Sequence, residues 1–260
     1  MTKLVAIDMD GTLLDSCKQM PSDTVKILSG LMDRGIRIAI ASGRQRMGLE
    51  QDFAPIADRL IFICENGGCI YHRGSLLDSK PIALAALRSA LQSVRVIENH
   101  YPVFCGLKSA YMEDADPELG EIAGKFYPVM TPVENLESVA EEDAICKIAV
   151  FNTHDEEKTE EELLRATVKK LRVVSSSKGW VDISRPDCNK GEAVRFLQNY
   201  FGIAPSECMA FGDYYNDLEM MESVGESYAM ANAVPEIKAA SKHTCLSNDE
   251  HGVLKILKHL

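Results

Sequence analysis

Residues 4–15 read LVAIDMDGTLLD, and both the fold and the chemistry of the chain turn on that stretch. An apolar run of strand length, Leu4–Ile7, ends in Asp8, and Asp10 follows two residues later. Two carboxylates that close repel each other, and burying one is costly unless a cation pairs with it. The stretch is therefore either an exposed turn or the end of a buried strand with a cation and a task. A continuous apolar run, without polar alternation, fits a strand covered on both faces, as in a parallel sheet flanked by helices.

Outward from this strand the sequence alternates strand and helix. PSDTVKILSGLMDRG (21–35) predicts a helix with Ser22 as N-cap, Val25, Leu28 and Met32 on one stripe, and Gly35 as the stop. IRIAIAS (36–42) predicts a second strand and RLIFICENGG (59–68) a third, with a short helix around 45–53 between them. Strand, helix and strand with short links imply right-handed crossovers and a parallel sheet. The centre is less regular. A helix over 82–95 precedes two strands, YPVFCGL and SAYMED, and a helix near 116–126. Then come the strand AICKIAVF, an acidic helix DEEKTEEELLRATVKKL, and the strands RVVSSS and WVDIS. Strands in adjacent pairs with few helices predict an α+β unit with its own sheet. After SRPDCNKG the first rhythm returns: a helix ending at Gly202, the strand CMAFGD, the helix NDLEMMESVG and the strand SYAMANA. A Pro-started helix VPEIKAASK, a short strand HTCLS and a last helix follow. The expected organisation is an α/β core over 1–82 and 187–260, interrupted by an α+β insert over 83–186.

Composition narrows the function. The 260 residues are 46% hydrophobic and 26% charged, which suits a soluble globular chain of one large or two ordinary domains. A net charge of −11 argues against a broad nucleic-acid-binding face and against docking on anionic lipid, but not against a small anionic ligand. Only Lys3 and the short apolar run precede Asp8, too little for a signal-peptide core, and no apolar run approaches a membrane span. The eight cysteines are scattered without a C-x-x-C pair and read as reduced thiols, so the expected location is cytoplasmic. The six histidines form no metal-binding pattern, and a zinc site is not expected.

Four places follow predicted strands of the interrupted sheet or open one of its helices. Asp8 and Asp10 end the first strand, and Ser42, Gly43 and Arg44 end the second. Asp213, with Asn216 and Asp217, ends the first strand after the insert, and Lys190 opens the helix before it. Ligands of open parallel sheets bind outside the carboxyl ends of the strands. Asp8, Asp10 and Asp213 supply hard oxygen ligands, which suit Mg²⁺ rather than zinc. Asp213 and Asp217, four apart, repel on a helix unless a metal reverses the sign. A serine hydroxyl, backbone N–H groups and a lysine together bind a phosphate dianion. One aspartate can then attack phosphorus while the other handles the proton. Singly, each feature has a plainer reading: Ser42 to Arg44 as a helix cap, Lys190 as a solvated helix residue, Asp217 as a surface carboxylate. A calcium loop starting at Asp8 is excluded by Leu13 and Gln19 at its sixth and twelfth positions. The plain readings would have to coincide, in order, at strand ends.

DMDGTLLD, ASGR, NKGEAV and FGDYYNDLEMM resemble the four motifs of the haloacid dehalogenase (HAD) superfamily of phosphohydrolases, in order. ENGG, YAMANAVPEIKAAS and LSNDEHGV resemble its Cof-type sugar-phosphatase subfamily. The resemblance implies a Rossmann-like α/β core with a mainly parallel sheet and an inserted α+β cap of type IIB. It implies that Asp8 is the nucleophile and an Mg²⁺ ligand, and that Asp10 binds Mg²⁺ through its carbonyl while its side chain serves as acid and then base. Asp213 would complete the protein ligands, with Asp217 supporting them. Ser42, Gly43, Lys190, Asn216 and backbone near Met9 would hold the phosphoryl group, with Thr12 shaping the turn and Arg44 in support. Tyr214 and Tyr215 depart from the pattern, standing where relatives carry small residues. The implied activity is Mg²⁺-dependent hydrolysis of small phosphate esters, sugar phosphates among them, through an aspartyl-phosphate. A phosphomutase of the same chemistry and a receiver-like phospho-acceptor module are the alternatives. In the insert, Lys108, Tyr111 and Lys147 lie where such a cap selects substrate. Trp180, Cys64 and Cys69 read as packing residues, and the acidic run 155–164 as a solvated face.

Overall fold

The computed structural model describes residues 1–113, 117–153, 157–177 and 179–260; the side chains of 157–160 and 177 also lie outside that description. Of the acidic run 155–164, residues 155 and 156 and the side chains of 157–160 therefore fall outside that description. The chain forms two compact units. One comprises Met1–Ser42, Leu49–Asp78 and Asn189–Leu260; the other comprises Gly43–Gly48 and Ser79–Cys188.

The first unit is built on β1 (Leu4–Asp8), whose five residues are all buried, as an apolar run between two helix-covered faces requires. Helix α1 (Thr24–Asp33), β2 (Arg37–Ala41), α2 (Arg46–Asp52) and β3 (Ile61–Cys64) follow, then β4 (Cys69–His72) and β5 (Ser75–Ser79). The cap of α1 is Asp23 rather than Ser22: the helix starts at Thr24, and no side chain caps it because the Asp23 carboxylate lies against Lys258 at 3.2 Å. Strand β3 stops at Cys64, short of the sequence expectation, because Glu65, Asn66 and Gly67 take positive φ values. The chain re-enters the first unit at α7 (Lys190–Phe201) and continues through β12 (Cys208–Gly212), α8 (Leu218–Glu222), β13 (Glu226–Ala229), α9 (Pro235–Ala240), β14 (His243–Thr244) and α10 (Gly252–Leu257).

Its eight strands run in the order β14-β13-β12-β1-β2-β3-β4-β5. From β14 to β3 every pairing is parallel, and only then does β4 turn back antiparallel. Strand β1 is the switch point, with the early strands on one side and the late strands on the other; crevices for ligands open at such points. The register fixes what meets there. Asp8 pairs with Ala41, so Ser42 follows beside it. Ile7 pairs with Phe211, so the next step sets Asp8 beside Gly212, the residue before Asp213.

The second unit has its own sheet, ordered β10-β11-β9-β6-β7-β8. Its elements are α3 (Leu84–Arg95), β6 (His100–Gly106), β7 (Ala110–Glu113), α4 (Pro117–Gly124), β8 (Met130–Val133), α5 (Leu136–Glu142), β9 (Ile145–Asn152), α6 (Glu157–Thr167), β10 (Arg172–Ser177) and β11 (Trp180–Ser184). Alternation along β9 serves two cores. Ile148 and Val150 pack with Leu87, Leu91 and Val94 of α3, whereas Ala149 and Phe151 pack with Trp180, Tyr127 and Leu119. Pairing is antiparallel except between β7 and β8. The architecture is thus an α/β core with a mainly parallel sheet plus an inserted α+β unit.

Candidate active site

Five side chains of the first unit converge at the carboxyl end of β1. Lys190, at the start of α7, is fully buried; its Nζ donates to Asp8 Oδ1 at 2.5 Å and to Asp217 Oδ1 at 2.7 Å. A lysine without solvent is tolerated only where carboxylates hold its charge. Burial alone would depress its pKa, but Asp217 and Asp8 outweigh that and raise it, so it stays an ammonium. Its place is set by Asn189, the N-cap of α7, whose side chain accepts the Glu192 N–H at 2.8 Å.

Asp217 is also fully buried. Its second oxygen accepts the backbone N–H groups of Asp213 (2.9 Å) and Tyr214 (3.1 Å), so it ties the loop after β12 to Lys190. Asp213 is partly buried and accepts the Thr12 hydroxyl at 2.9 Å, which gives Thr12 a task beyond turn shaping. Gly11, the residue before Thr12, sits at φ +83°, and a Cβ there would run into the Asp213 carboxylate, so both backbone and space demand glycine. The carboxylates of Asp8, Asp213 and Asp217 each place an oxygen within 4.8 Å of the others. Three carboxylates against the single ammonium of Lys190 leave the cluster two negative charges in excess. Desolvation, then repulsion from Asp217, pushes Asp8 well above the usual carboxylate range, although Lys190 opposes this. The same two causes carry Asp213 up to about 6. A hard divalent cation fits this donor set: it would supply the missing charge and reverse both shifts.

The other expected residues are distributed as follows. Met9 is buried, and its carbonyl accepts the N–H groups of Leu13 and Leu14 in the turn after β1. The Asp10 carboxylate is partly exposed and pairs with Lys18 at 2.7 Å. Ser42 is buried at the end of β2; its N–H donates to the Ile63 carbonyl and its carbonyl accepts the Asn66 N–H, both at 2.9 Å. Asn216 donates to the Asn66 side chain at 3.0 Å. Gly43 and Arg44 belong to the second unit, where the Gly43 carbonyl accepts from Lys147 Nζ at 3.0 Å. Asn66 and Asn189 were not among the expected site residues; the Asn-Gly pair at 66–67 and the Asn before KG are the features that could have flagged them.

Several other expectations resolve within single units. Tyr214 and Tyr215 pack edge to face, centroids 4.9 Å apart, with Tyr215 exposed. Trp180 is a packing residue, stacked on Phe151 with centroids 4.9 Å apart, and Cys64 and Cys69 are buried. Lys108 and Tyr111 both turn to Asp143: the Lys108 backbone N–H and the Tyr111 hydroxyl donate to one carboxylate oxygen, at 2.9 and 3.0 Å. Lys147 is buried beside Asp182, 3.4 Å away.

A family model of haloacid dehalogenase-like hydrolases matches residues 5–257. The chain belongs to that family. This hydrolase is 32% identical over 265 residues, 99% of its own chain and 97% of the relative, to the 5-amino-6-(5-phospho-D-ribitylamino)uracil phosphatase YbjI of Escherichia coli (strain K12). Its fold matches that of SMU.1108c from Streptococcus mutans UA159 with a TM-score of 0.89 at 28% identity, covering 100% of this chain and 98% of the other. The HAD subclass IIB sugar phosphatase BT4131 superposes with a TM-score of 0.82 over 99% of this chain and 98% of its own; at 22% identity that likeness is one of fold, inserted cap included. No helix among the described residues is long and apolar enough to cross a membrane.

Proposed function

We propose that this hydrolase is a phosphoric monoester hydrolase acting on small phosphorylated metabolites, sugar phosphates among them, with Mg²⁺ as cofactor and Asp8 as nucleophile. The observation that carries the proposal is the Asp8 carboxylate, buried at the switch-point strand and bonded at 2.5 Å to a lysine that is itself without solvent. The Lys190 ammonium favours the ionised form of that carboxylate, the form nucleophilic attack requires, against the burial and the neighbouring aspartates that disfavour it. The kinship with phosphatases supports the reaction class.

In this reading an Asp8 oxygen attacks phosphorus, the bond from phosphorus to the ester oxygen breaks, and Asp10 gives its proton to the leaving alcohol. Asp10 then takes a proton from water, which attacks the aspartyl-phosphate, releases phosphate and regenerates Asp8. For this the Asp10 carboxylate must leave Lys18, a side-chain rotation at a partly exposed position. Lys190, Ser42, Gly43, Asn216 and the backbone at Met9 would hold the phosphoryl oxygens, with Arg44 nearby in sequence. Asp217 would keep Lys190 and the 213–214 loop in place, and Thr12 would orient Asp213. Mg²⁺, held by Asp8, the Asp10 carbonyl and Asp213, would offset the repulsion between Asp8 and the phosphate dianion.

Residues 1–82 and 187–260 would form the catalytic core and 83–186 the cap that selects the substrate. Eight scattered cysteines without a C-x-x-C pair support a reducing, cytoplasmic setting. The net charge of −11 speaks against nucleic acid as partner, and a small phosphate ester is the partner the site suits. The test is phosphate release from an aryl phosphate and a sugar-phosphate panel by wild type and Asp8→Asn, with Mg²⁺ and with EDTA. Metal-dependent release by wild type, lost in the variant, upholds the proposal. Folded protein with no turnover on any substrate contradicts it, and a stable phosphoprotein or a demand for a bisphosphate activator would reassign the same residues to a regulatory module or a mutase.

A further inference from the structure

One short turn of the first unit touches the segments that carry Ser42, Lys190 and Asn216 at once. Glu65, Asn66 and Gly67 have φ values of +51°, +56° and +97° in succession. Left-handed backbone is unfavourable for residues with a Cβ and persists where the surroundings over-determine it. Here three contacts do so. The Asn66 N–H donates to the Ser42 carbonyl at 2.9 Å. The Asn66 side-chain oxygen accepts from Asn216 Nδ2 at 3.0 Å. Gly67 lies so close to the backbone of Asn189 that a Cβ would overlap its carbonyl, and Asn189 caps the helix that begins with Lys190. A tight connection between β3 and β4 needs left-handed residues at its turn, but it needs none of these contacts.

The geometry points to Asn66 as a positioning residue for phosphate binding, acting through Asn216 and Ser42; this rests on the phosphatase reading above. A carboxamide has two amide hydrogens. Committing one Asn216 hydrogen to Asn66 sets the plane of that group and so the direction of the other, the one left for a phosphoryl oxygen. The same residue, through its N–H, fixes the carbonyl of Ser42 and with it the end of β2. Loss of Asn66 would leave Asn216 free to change rotamer, and pre-organised donors lose affinity when their support is removed. The effect should fall on binding of the phosphate ester, not on folding.

The test is a double-mutant cycle with Asn66→Gly, Asn216→Ala and the pair, reading KM for an aryl phosphate, Ki for inorganic phosphate, and Tm. Glycine accepts the left-handed turn without strain, so Asn66→Gly should keep or raise Tm. It should raise KM and Ki about tenfold, the loss expected for one hydrogen bond to a charged ligand, with kcat changed less. The pair should lose no more than Asn216→Ala alone, because glycine keeps the N–H bonded to Ser42 and the lost side chain acts only through Asn216. KM and Ki within about twofold of wild type, or effects that simply add, overturn the assignment. Should Asn66→Gly not fold, Asn66→Ser, too short to reach Asn216, enters the same cycle under the same criteria. Wild type that neither hydrolyses aryl phosphate nor binds inorganic phosphate overturns the phosphatase reading itself, an outcome distinct from an active wild type with an additive cycle.

Discussion

Lys190→Met replaces a fully buried ammonium by an apolar chain of similar length and leaves Asp8 and Asp217 facing each other across the space it held, 2.5 and 2.7 Å from the lost nitrogen. Removing one partner of a buried ion pair costs about 3–5 kcal/mol, because the remaining charge stays uncompensated. A second route gives the same scale. The variant can escape by protonating one carboxylate, and holding an ordinary aspartate protonated at neutral pH costs about 4 kcal/mol. For a chain of this size each kcal/mol shifts Tm by about 2–4 °C, so the first unit should melt about 6–20 °C lower. The sign of the pH dependence follows from linkage. The carboxylate left behind has its folded pKa raised, so the deficit should be small at about pH 5 and grow towards about pH 8. Circular dichroism or calorimetry in EDTA is the assay. Fluorescence of Trp180, the sole tryptophan, reports the second unit and serves as an internal control. Added Mg²⁺ should recover part of the loss. A Tm within about 2 °C of wild type across this pH range would refute the claim that Lys190 offsets the charge of Asp8 and Asp217.

The remaining predictions concern the same carboxylates. With metal removed, Asp213, raised to about 6, binds more protons folded than unfolded; stability should therefore fall as pH rises from about 4 to about 6, by at most about 3 kcal/mol. Asp213→Asn should flatten that part of the Tm–pH curve, and an unchanged slope would sink the argument. Asp8→Asn should abolish turnover yet raise Tm in EDTA by about 2–6 °C, since it deletes a charge that burial and its neighbours disfavour; a lower Tm would contradict this. Thr12→Val removes the hydroxyl that orients Asp213 and should weaken Mg²⁺ binding about 10–100-fold by titration calorimetry, with little change in Tm.

How far the sequence revealed this structure depended on how local each determinant was. Strands β1, β2, β9 and β12 announce themselves as apolar runs because their residues are buried on both faces. Strand β5, SLLDS, has no buried residue, and β8 and α5 are short, so no periodicity marks them. Lys190 and Asp217 show the limit most clearly. Alone, each reads as a solvated surface charge, and their burial depends on segments 182 and 27 residues apart that only the fold unites. They stood out because a set of motifs was matched in order, not because of any property of either residue. Asn66 was legible only as part of a resembling stretch, since what sets it apart is a backbone angle and a bond to Asn216.

The central claim is that Asp8 carries the phosphoryl group in turnover. The measurement that tests it most directly is acid quenching of wild-type enzyme during steady-state hydrolysis of an aryl phosphate, followed by intact-mass and peptide analysis. A single phosphoryl adduct on Asp8, within residues 4–15, absent from Asp8→Asn and cleared when substrate is exhausted, is the predicted result. Sustained turnover with no adduct there, or with an adduct on another residue, would contradict the account.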